Sequence, residues 1–223
     1  MKPLIGLIAR VEYPGETGKL IMNERYRRTI IEYGGNPIMI MPPQDIDYTN
    51  TKFDNQKELT DEEKEMLIRQ IKLCDGILMT GGFKINKFDL FISEYAALHD
   101  IPILGICLGM QIMANYKKKL WLVKNDSYIE HQVEEGLVHD VTLDKTSKLY
   151  EIVGKDKFMV TSRHYYHVEP NDKYDIVALS DDNYIEAIEM KDKKFNIGVQ
   201  WHPELMTDET SKKLFEKFID TCK

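Results

Sequence analysis

The sequence has few cysteines, no excess of positive charge and no long apolar run. Its three cysteines, Cys74, Cys107 and Cys222, are too few and too scattered for a disulfide framework or a Cys-x-x-Cys metal site. The net charge of -7 argues against general nucleic-acid binding, which needs clustered positive charge. No apolar run reaches the length of a membrane span, and the N-terminal MKPLIGLIAR is charged too early for a signal peptide. These absences predict a cytoplasmic protein that binds neither nucleic acid nor membrane.

The composition is typical of a globular protein. Hydrophobic residues make up 43% of the 223 residues and charged residues 30%. No internal repeat or low-complexity linker divides the chain, so we expect a single domain over residues 1–223. The one basic run, at 117–119, is typical of a solvated face.

Strand-like and helix-like segments alternate in the first half of the chain. Buried strands are predicted over 3–10, 36–43, 75–82 and 102–107. Helices are predicted from Asn23, from a capping box of Thr60 and Glu63, over 88–100 and over 108–118. This alternation predicts an α/β fold that is flavodoxin-like and doubly wound, with a mostly parallel central sheet and helices on both faces.

The second half of the chain has a different pattern. Strand-like segments separated by turn signals cover 136–143, 158–169, 175–181, 184–192 and 195–204. A final helix is predicted over 208–221, capped by Thr207. The second half is therefore expected to add antiparallel strands to the sheet.

The segment ILGICLGMQ places a cysteine between two glycines where a strand gives way to a helix. In the pattern Gly105-x-Cys107-x-Gly109, the glycines allow a sharp turn without a Cβ clash. The cysteine then stands at a helix N-terminus, where unpaired N–H groups favour a thiolate. Two interpretations stay open from this motif alone: a nucleophile on a sharp turn, or a buried cysteine that packs under a helix.

A thiolate nucleophile needs a proton carrier, and His202 stands out among the six histidines because it follows an apolar strand in IGVQWHPE. In an extended segment, residues two apart project to the same side, so His202 and Glu204 are expected to lie together. A carboxylate beside an imidazole fixes its tautomer and stabilises its protonated form. The alternative is a strand-end histidine beside an unrelated surface glutamate.

Taken together, the two motifs resemble those of the class I glutamine amidotransferases, which carry Cys in G-x-C-x-G and His-x-Glu on a late strand. Within that family, the chain looks most like the γ-glutamyl hydrolase branch, the peptidase C26 group that includes γ-glutamyl-γ-aminobutyrate hydrolase. The resemblance runs almost end to end, through KPLIGLIAR, YRRTIIEYGGNPIMIMPP, DGILMTGG, IPILGICLGMQIMAN, TSRH and GVQWHPE.

The resemblance implies a catalytic triad. Cys107 would attack the γ-carbonyl of a γ-glutamyl amide, and His202 would activate the thiol and then protonate the departing amine. Glu204 would orient His202. The oxyanion would be bound by the backbone N–H groups of Leu108 and of Gly82, which is preferred here to its neighbour Gly81.

Other positions match the family's substrate-binding residues. Gln111 matches a residue that helps to hold the glutamyl group, and its alternative is an ordinary polar helix residue that faces solvent. Ser162 and His164 match part of the family's Ser-x-His-His-Gln stretch. The resemblance implies no metal and no organic cofactor.

Three functions are compatible with these residues. The first is a free-standing cysteine hydrolase that cleaves a small γ-glutamyl amide through a γ-glutamyl thioester and releases glutamate and an amine, with a homodimer as a possible assembly. The second is a glutaminase subunit that supplies ammonia to a partner synthase. The third is an inactive binding protein on the same fold. The intact triad and the family branch favour the first.

The chain departs from the family pattern at three places, each of which could shape the leaving-group side of the pocket. Phe88 replaces the arginine of an Arg-Asp pair, Tyr165 and Tyr166 replace the second His and the Gln, and NYKKKLWL replaces a glycine pair. These departures leave the amine undetermined.

A metal cluster of His131 and His139 with neighbouring acidic residues is the remaining possibility. Its spacing is not a known ligand pattern, and an exposed polar strand pair is the favoured interpretation.

Overall fold

The computed structural model describes residues 1–12, 18–115 and 122–223. The basic run 117–119 and the end of the helix predicted over 108–118 lie outside these residues. The strands are β1 (Leu4–Ile8), β2 (Arg10–Val11), β3 (Leu20–Ile21), β4 (Asn36–Ile40), β5 (Gly76–Met79), β6 (Ile103–Ile106), β7 (Leu122–Lys124), β8 (His139–Leu143), β9 (Lys157–Val160), β10 (Tyr166–Val168), β11 (Asp175–Ser180), β12 (Ile185–Glu189) and β13 (Asn196–Val199). The helices are α1 (Glu24–Glu32), α2 (Asp61–Lys72), α3 (Lys87–Leu98), α4 (Leu108–Met113), α5 (Lys148–Val153) and α6 (Glu209–Thr221), with 3₁₀ turns at Phe53–Asn55 and Pro203–Leu205.

A nine-stranded sheet organises the described residues, in the order β4-β1-β5-β6-β13-β12-β11-β8-β9. The strands β4, β1, β5, β6 and β13 pair in parallel. Numbered along the chain, these five strands have the order 2-1-3-4-5, which is the flavodoxin-like doubly wound arrangement. The predicted fold class is confirmed.

The second half extends this sheet with antiparallel pairs, as predicted. β12 pairs with β13, β11 with β12, β8 with β11, and β9 with β8, all antiparallel. The single strand predicted over 158–169 is wrong, because the chain leaves the sheet after β9 and resumes as β10, which pairs with β7 in a separate two-stranded sheet. At the break, the carbonyl of Thr161 accepts a hydrogen bond from His202 N–H at 3.0 Å instead of continuing a ladder.

Helices cover both faces of the sheet and form two apolar cores. α1, α5 and α6 contribute buried residues to one core, and α2, α3 and α4 contribute to the other. Of the helices described, none has the length and apolarity needed to cross a membrane. The cytoplasmic location stays a prediction.

Side chains cap the helices where the sequence indicated, with one exception. The capping box of Thr60 and Glu63 is present in both directions, and the side chain of Asn23 accepts a hydrogen bond at the start of α1. The final helix is capped by Asp208 rather than Thr207, because the Asp208 carboxylate accepts a hydrogen bond from Ser211 N–H at 2.9 Å. A carboxylate at this position also faces the positive end of the helix dipole.

Candidate active site

Cys107 occupies a strained turn between β6 and α4. Its backbone has φ 52° and ψ -109°, a left-handed conformation that is costly for a residue with a Cβ. Its N–H is hydrogen-bonded to Val199 O at 2.8 Å, and its carbonyl accepts the N–H of Gln111 at 3.1 Å. Backbone bonds on both sides therefore hold the strained residue at the edge of the sheet where the parallel strands end.

The two glycines that flank Cys107 are required by close packing. A Cβ on Gly109 would lie 1.9 Å from Met79 O, and a Cβ on Gly105 would lie 2.3 Å from the sulfur of Met113. Neither glycine has a positive φ. The two glycines of G-x-C-x-G are therefore needed because α4 packs closely against β5 and β6 at these positions. The unusual backbone conformation belongs to Cys107 and not to the glycines.

His202 and Glu204 meet just beyond β13. The Nδ1 of His202 lies 2.7 Å from Glu204 Oε1, and their side chains are 11% and 4% exposed. The contact is the predicted one, but its cause differs: residues 203–205 form a 3₁₀ turn, so the pair is brought together by a turn and not by strand alternation.

The charges around His202 favour its protonated form. Burial alone would lower the pKa of His202, but the negative charges of Glu204 and of the Cys107 thiolate raise it to about 10. Its Nδ1 is bound to Glu204 at 2.7 Å, which leaves Nε2 for the contact with Cys107. That nitrogen is therefore available for a proton that moves to or from a reacting group.

Gly81 lies close to both Cys107 and His202. A Cβ at Gly81 would lie 3.3 Å from His202 Cε1 and 3.6 Å from Cys107 Cβ. The sulfur of Cys107 lies 4.0 Å from the carbonyl oxygen of Arg163. The structure thus brings the predicted triad together, with the loop after β9 as a wall.

The loop after β5 distinguishes the two glycines considered for an oxyanion site. Gly81 N–H already donates to the hydroxyl of the buried Tyr26 at 3.0 Å, whereas Gly82 N–H has no partner among the described residues. A Cβ at Gly82 would lie 3.2 Å from Leu108 Cδ2, so the two predicted donor residues are adjacent. Leu108 N–H is one of the groups that the start of a helix leaves unpaired.

Two clefts meet at the cysteine. The larger has a volume of about 610 Å³ and the smaller about 300 Å³, and both are lined by Gly82, Phe83, Cys107 and Arg163. The larger cleft also contains His202 and Glu204, and the smaller contains Gln111 and the loop before β10. A substrate bound at the thiol would therefore lie between α4 and the loop that carries Arg163.

Gln111 is buried, and the interpretation of a solvent-facing helix residue is wrong. Its Nε2 donates to Tyr166 O at 2.9 Å and to Gln200 Oε1 at 3.1 Å. It lines the smaller cleft, where it joins α4 to the loop and to the end of β13.

The side chains of Ser162 and His164 make their hydrogen bonds behind the loop, although His164 also lines the smaller cleft. Ser162 Oγ donates to His131 O at 2.9 Å, and His164 Nε2 lies 3.2 Å from His131 Nδ1. These two residues belong to a buried polar cluster behind the loop. His131 and His139, predicted to be exposed, are only 1% and 5% exposed, because both rings face the buried carboxyl group of Glu186 at 3.6 Å.

The residues that depart from the family pattern differ in their position relative to the two clefts. Phe88 is fully buried and packs edge-to-face on Tyr48 at 5.4 Å, so it does not line either cleft at Cys107. Tyr165 and Tyr166 do line the smaller cleft. Most of the NYKKKLWL stretch, residues 116–121, lies outside the described residues.

Sequence reasoning missed Arg10 as a supporting residue. Its guanidinium lies 2.6 Å from Asp89 Oδ1 and donates to Thr80 O at 2.9 Å, just before the glycine pair. Arg10 and Asp89 are 6% and 0% exposed. The pair connects β2, α3 and the loop after β5. No local motif marks it, because its members are far apart in the chain.

A cysteine held on a strained strand-to-helix turn beside a His–Glu pair has the geometry of a nucleophile with its general base. Residues 45–222 match the family model described as Glutamine amidotransferase class-I. The chain belongs to this family, whose members are enzymes.

Known relatives of the chain include two kinds of synthase. The chain is 32% identical over 153 residues to the glutamine-hydrolyzing GMP synthase subunit of Haloquadratum walsbyi, covering 68% of this chain and 78% of the relative. It is 30% identical over 207 residues to the CTP synthase of Lactobacillus helveticus, covering 76% of this chain but only 38% of the relative. The glutaminase domain of Trypanosoma brucei CTPS, solved with bound acivicin, shares the fold with a TM-score of 0.64 at 17% identity, over 99% of this chain and 93% of that one.

These relatives overturn two predictions. The main functional prediction, a free-standing hydrolase of a small γ-glutamyl compound in the peptidase C26 branch, is wrong, because the relatives are synthases and a component of a synthase. The predicted set of partners, a small γ-glutamyl amide with a possible homodimer, is wrong because it leaves out a synthase, which the names of the relatives include. The Cys-His-Glu motif is common to the γ-glutamyl hydrolases and the glutaminases of synthases. It therefore indicates cleavage of a γ-glutamyl amide but does not identify the leaving group.

Proposed function

We propose that this chain is a glutaminase, a single domain over residues 1–223, that supplies ammonia to a synthase domain or subunit. One observation carries the chemistry: Cys107 is held on a strained turn beside His202, whose Nδ1 is bound to Glu204 at 2.7 Å. The relatives support the transfer of ammonia to a synthase, since they are a CTP synthase and the glutamine-hydrolysing component of a GMP synthase.

The acylation step begins with the Cys107 thiolate, which attacks the γ-carbonyl carbon of glutamine. The carbonyl π electrons move to oxygen, and the N–H groups of Leu108 and Gly82 stabilise the resulting oxyanion. Protonated His202 then donates its Nε2 proton to the departing amide nitrogen. The C–N bond breaks, ammonia leaves, and a γ-glutamyl thioester remains on Cys107.

The deacylation step uses water. Neutral His202 removes a proton from a water molecule that attacks the thioester carbon, and Glu204 stabilises the imidazolium that forms. The C–S bond breaks, glutamate is released, and the thiolate–imidazolium pair is restored.

Arg163 is our candidate for the residue that binds the α-carboxylate of glutamine. It lines both clefts, and its buried Nε has no partner among the described residues. Guanidinium groups pair well with carboxylates.

The first experiment measures chemistry at Cys107. The protein is incubated with acivicin and mapped by mass spectrometry, and glutamate and ammonia release from glutamine are measured for wild type and Cys107→Ala. We expect one label, on Cys107, and no release by the variant. Cys74 and Cys222 are internal controls, because burial raises their thiol pKa to about 11 and about 12. Labelling at those residues, or release that survives Cys107→Ala, would exclude the proposed nucleophile.

The second experiment tests the partner. Glutaminase kcat is measured alone and with the synthase portion of a CTP synthase prepared without its own glutaminase domain. We expect a rise of about tenfold or more together with incorporation of the glutamine nitrogen into the synthase product. A high rate of the isolated chain that no synthase changes, or faster hydrolysis of γ-glutamyl dipeptides than of glutamine, would contradict ammonia delivery.

A further inference from the structure

A buried cluster of four side chains lies behind the loop that forms one wall of the candidate active site. It consists of His131, His139, His164 and Glu186, whose ligand atoms all lie within 4.8 Å of one another. Their exposures are 1%, 5%, 3% and 0%. The proposed glutaminase mechanism uses none of them.

Three imidazole nitrogens surround one carboxylate oxygen at nearly equal distances. Glu186 Oε1 lies 3.6 Å from His131 Nδ1, 3.6 Å from His139 Nε2 and 3.5 Å from His164 Nε2. These distances exceed those of hydrogen bonds. The edges of a tetrahedral zinc site, with ligands at about 2.0–2.2 Å from the ion, are about 3.3–3.6 Å long.

The opposite nitrogen of each ring has an acceptor. His131 Nε2 lies 2.8 Å from Asp182 Oδ2, His139 Nδ1 lies 3.1 Å from Asp140 O, and His164 Nδ1 lies 3.0 Å from Tyr166 O. A neutral imidazole has one N–H, and in each ring this acceptor places it on the outer nitrogen. Three lone pairs therefore point inward at the carboxylate. Outer N–H groups held in this way are usual for histidines that bind metals.

Three of the inward atoms lack protein partners, whereas His131 Nδ1 and His164 Nε2 lie 3.2 Å from each other. Both carboxylate oxygens of Glu186 and His139 Nε2 have no hydrogen-bond partner among the described residues. The cluster and Asp182 bring two buried carboxyl groups together, and no lysine or arginine of the described residues forms an ion pair with either of them. Such an arrangement is unfavourable unless a cation lies at its centre.

We propose that His131 Nδ1, His139 Nε2, His164 Nε2 and Glu186 bind a structural Zn²⁺ ion. Imidazole and carboxylate are common zinc ligands, and burial of all four leaves no open position for a substrate. The ion joins β8, β12 and the loops before β8 and after β9. By sequence alone, the spacing of His131 and His139 with neighbouring acidic residues does not favour a metal site. The other two ligands proposed here, His164 and Glu186, are distant from them in the chain.

The site supports the wall of the active-site cleft. His131 O accepts both the His164 N–H at 2.9 Å and the Ser162 hydroxyl at 2.9 Å. Between these two residues lies Arg163, whose carbonyl faces the Cys107 sulfur at 4.0 Å. Zinc would thus hold the loop on the side that faces His131, while the opposite side of the loop faces the Cys107 thiol.

The test measures zinc content in protein purified from zinc-supplemented cells, after removal of any affinity tag. We expect about one zinc per chain in wild type and a loss of most of it in His139→Gln and Glu186→Gln. His99→Gln, which changes an exposed histidine, is the matched control and keeps its zinc. Cys107→Ala also keeps its zinc, which distinguishes this site from metal captured by the active-site thiol.

Two further measurements do not depend on the folding of ligand variants. Removal of zinc from wild type by a chelator should lower the Tm by about 5 °C or more, and added zinc should restore it. Asp182→Asn, which keeps all four ligands, should weaken zinc affinity by about 10- to 100-fold. A wild type that contains no zinc, takes up none on addition and keeps its Tm with chelator would overturn the proposal. The cluster would then be held by a proton shared between His131 and His164. Both readouts are independent of glutaminase activity.

Discussion

In the parallel half of the sheet, the cysteine is held by crowded backbone, whereas in the antiparallel half the wall of the cleft is held by hydrogen bonds between distant segments. Gly109 lies so close to Met79 O that a Cβ would be 1.9 Å away. Across the cleft, the loop after β9 is held by bonds such as His202 N–H to Thr161 O at 3.0 Å. The first arrangement tolerates no added atom, and the second depends on several polar partners at once.

This difference predicts how substitutions act in the two halves of the sheet. A backbone approach is a steric requirement, so one substitution removes it completely. A hydrogen-bonded loop loses its bonds one at a time, each worth about 0.5–1.5 kcal/mol. Four substitutions test this contrast, beginning with the largest expected effect.

Gly109→Ala should be the most damaging change in the parallel half. The new methyl group would overlap Met79 O and force α4 away from β5, so we expect a loss of about 3 kcal/mol or more in the free energy of unfolding and loss of acivicin labelling. Urea unfolding measures the first effect. Gly136→Ala is the control: it has φ 89° and open space, and should cost only about 1 kcal/mol. Equal costs would show that the close approach is not what holds the elbow.

Glu204→Gln should reduce kcat for glutamine by about 10²- to 10⁴-fold. The amide keeps the shape of the side chain but removes the charge that stabilises the His202 imidazolium. Steady-state kinetics of the purified variant measure the effect. A kcat that stays within about threefold of the wild-type value would mean that the carboxylate only packs against His202.

The same variant has a signature in pH. The pKa of His202 is raised from 6.5 to about 10, so its contribution to stability is complete below pH 6.5 and is lost as pH rises through about 10. Glu204→Gln should lower that pKa and shift the loss of this contribution to lower pH. Urea unfolding of both proteins between pH 6 and 10 shows the shift, and superimposable profiles would contradict it.

Arg10→Met should cost about 3–5 kcal/mol in unfolding free energy, because it leaves the fully buried Asp89 without its cation. Adding Asp89→Asn removes the uncompensated charge and should restore part of the loss. Urea unfolding of the two single variants and the double variant measures the coupling. Costs that simply add would show that the two side chains do not depend on each other.

Tyr26→Phe should have the smallest effect, about 1–2 kcal/mol, because the partly buried N–H of Gly81 loses its acceptor. We expect a fall in kcat of about tenfold, since the loop that carries Gly82 is displaced. Tyr33→Phe, at the end of the same helix, is the control and should leave both quantities unchanged. A kcat for Tyr26→Phe equal to that of the control would separate this hydroxyl from the oxyanion loop.

The elbow and the His–Glu pair could be predicted from the sequence because each lies within one short segment. Gly105, Cys107 and Gly109 report a local turn, and His202 and Glu204 are only two residues apart, although a 3₁₀ turn brings them together. Strand and helix alternation, set by apolar periodicity, was enough for the doubly wound sheet. The leaving group was not predictable in this way, because the same triad serves more than one branch of the family.

Tertiary structure alone decided the rest, since it depends on contacts between residues far apart in the chain. The break after β9, the pairing of Arg10 with Asp89 and the cluster around Glu186 have no local signature. The sequence by itself determined the class of chemistry and the parallel core, because periodicity and steric motifs act over a few residues. The walls of the cleft required the fold, because burial and hydrogen bonding are properties of segments brought together from different parts of the chain.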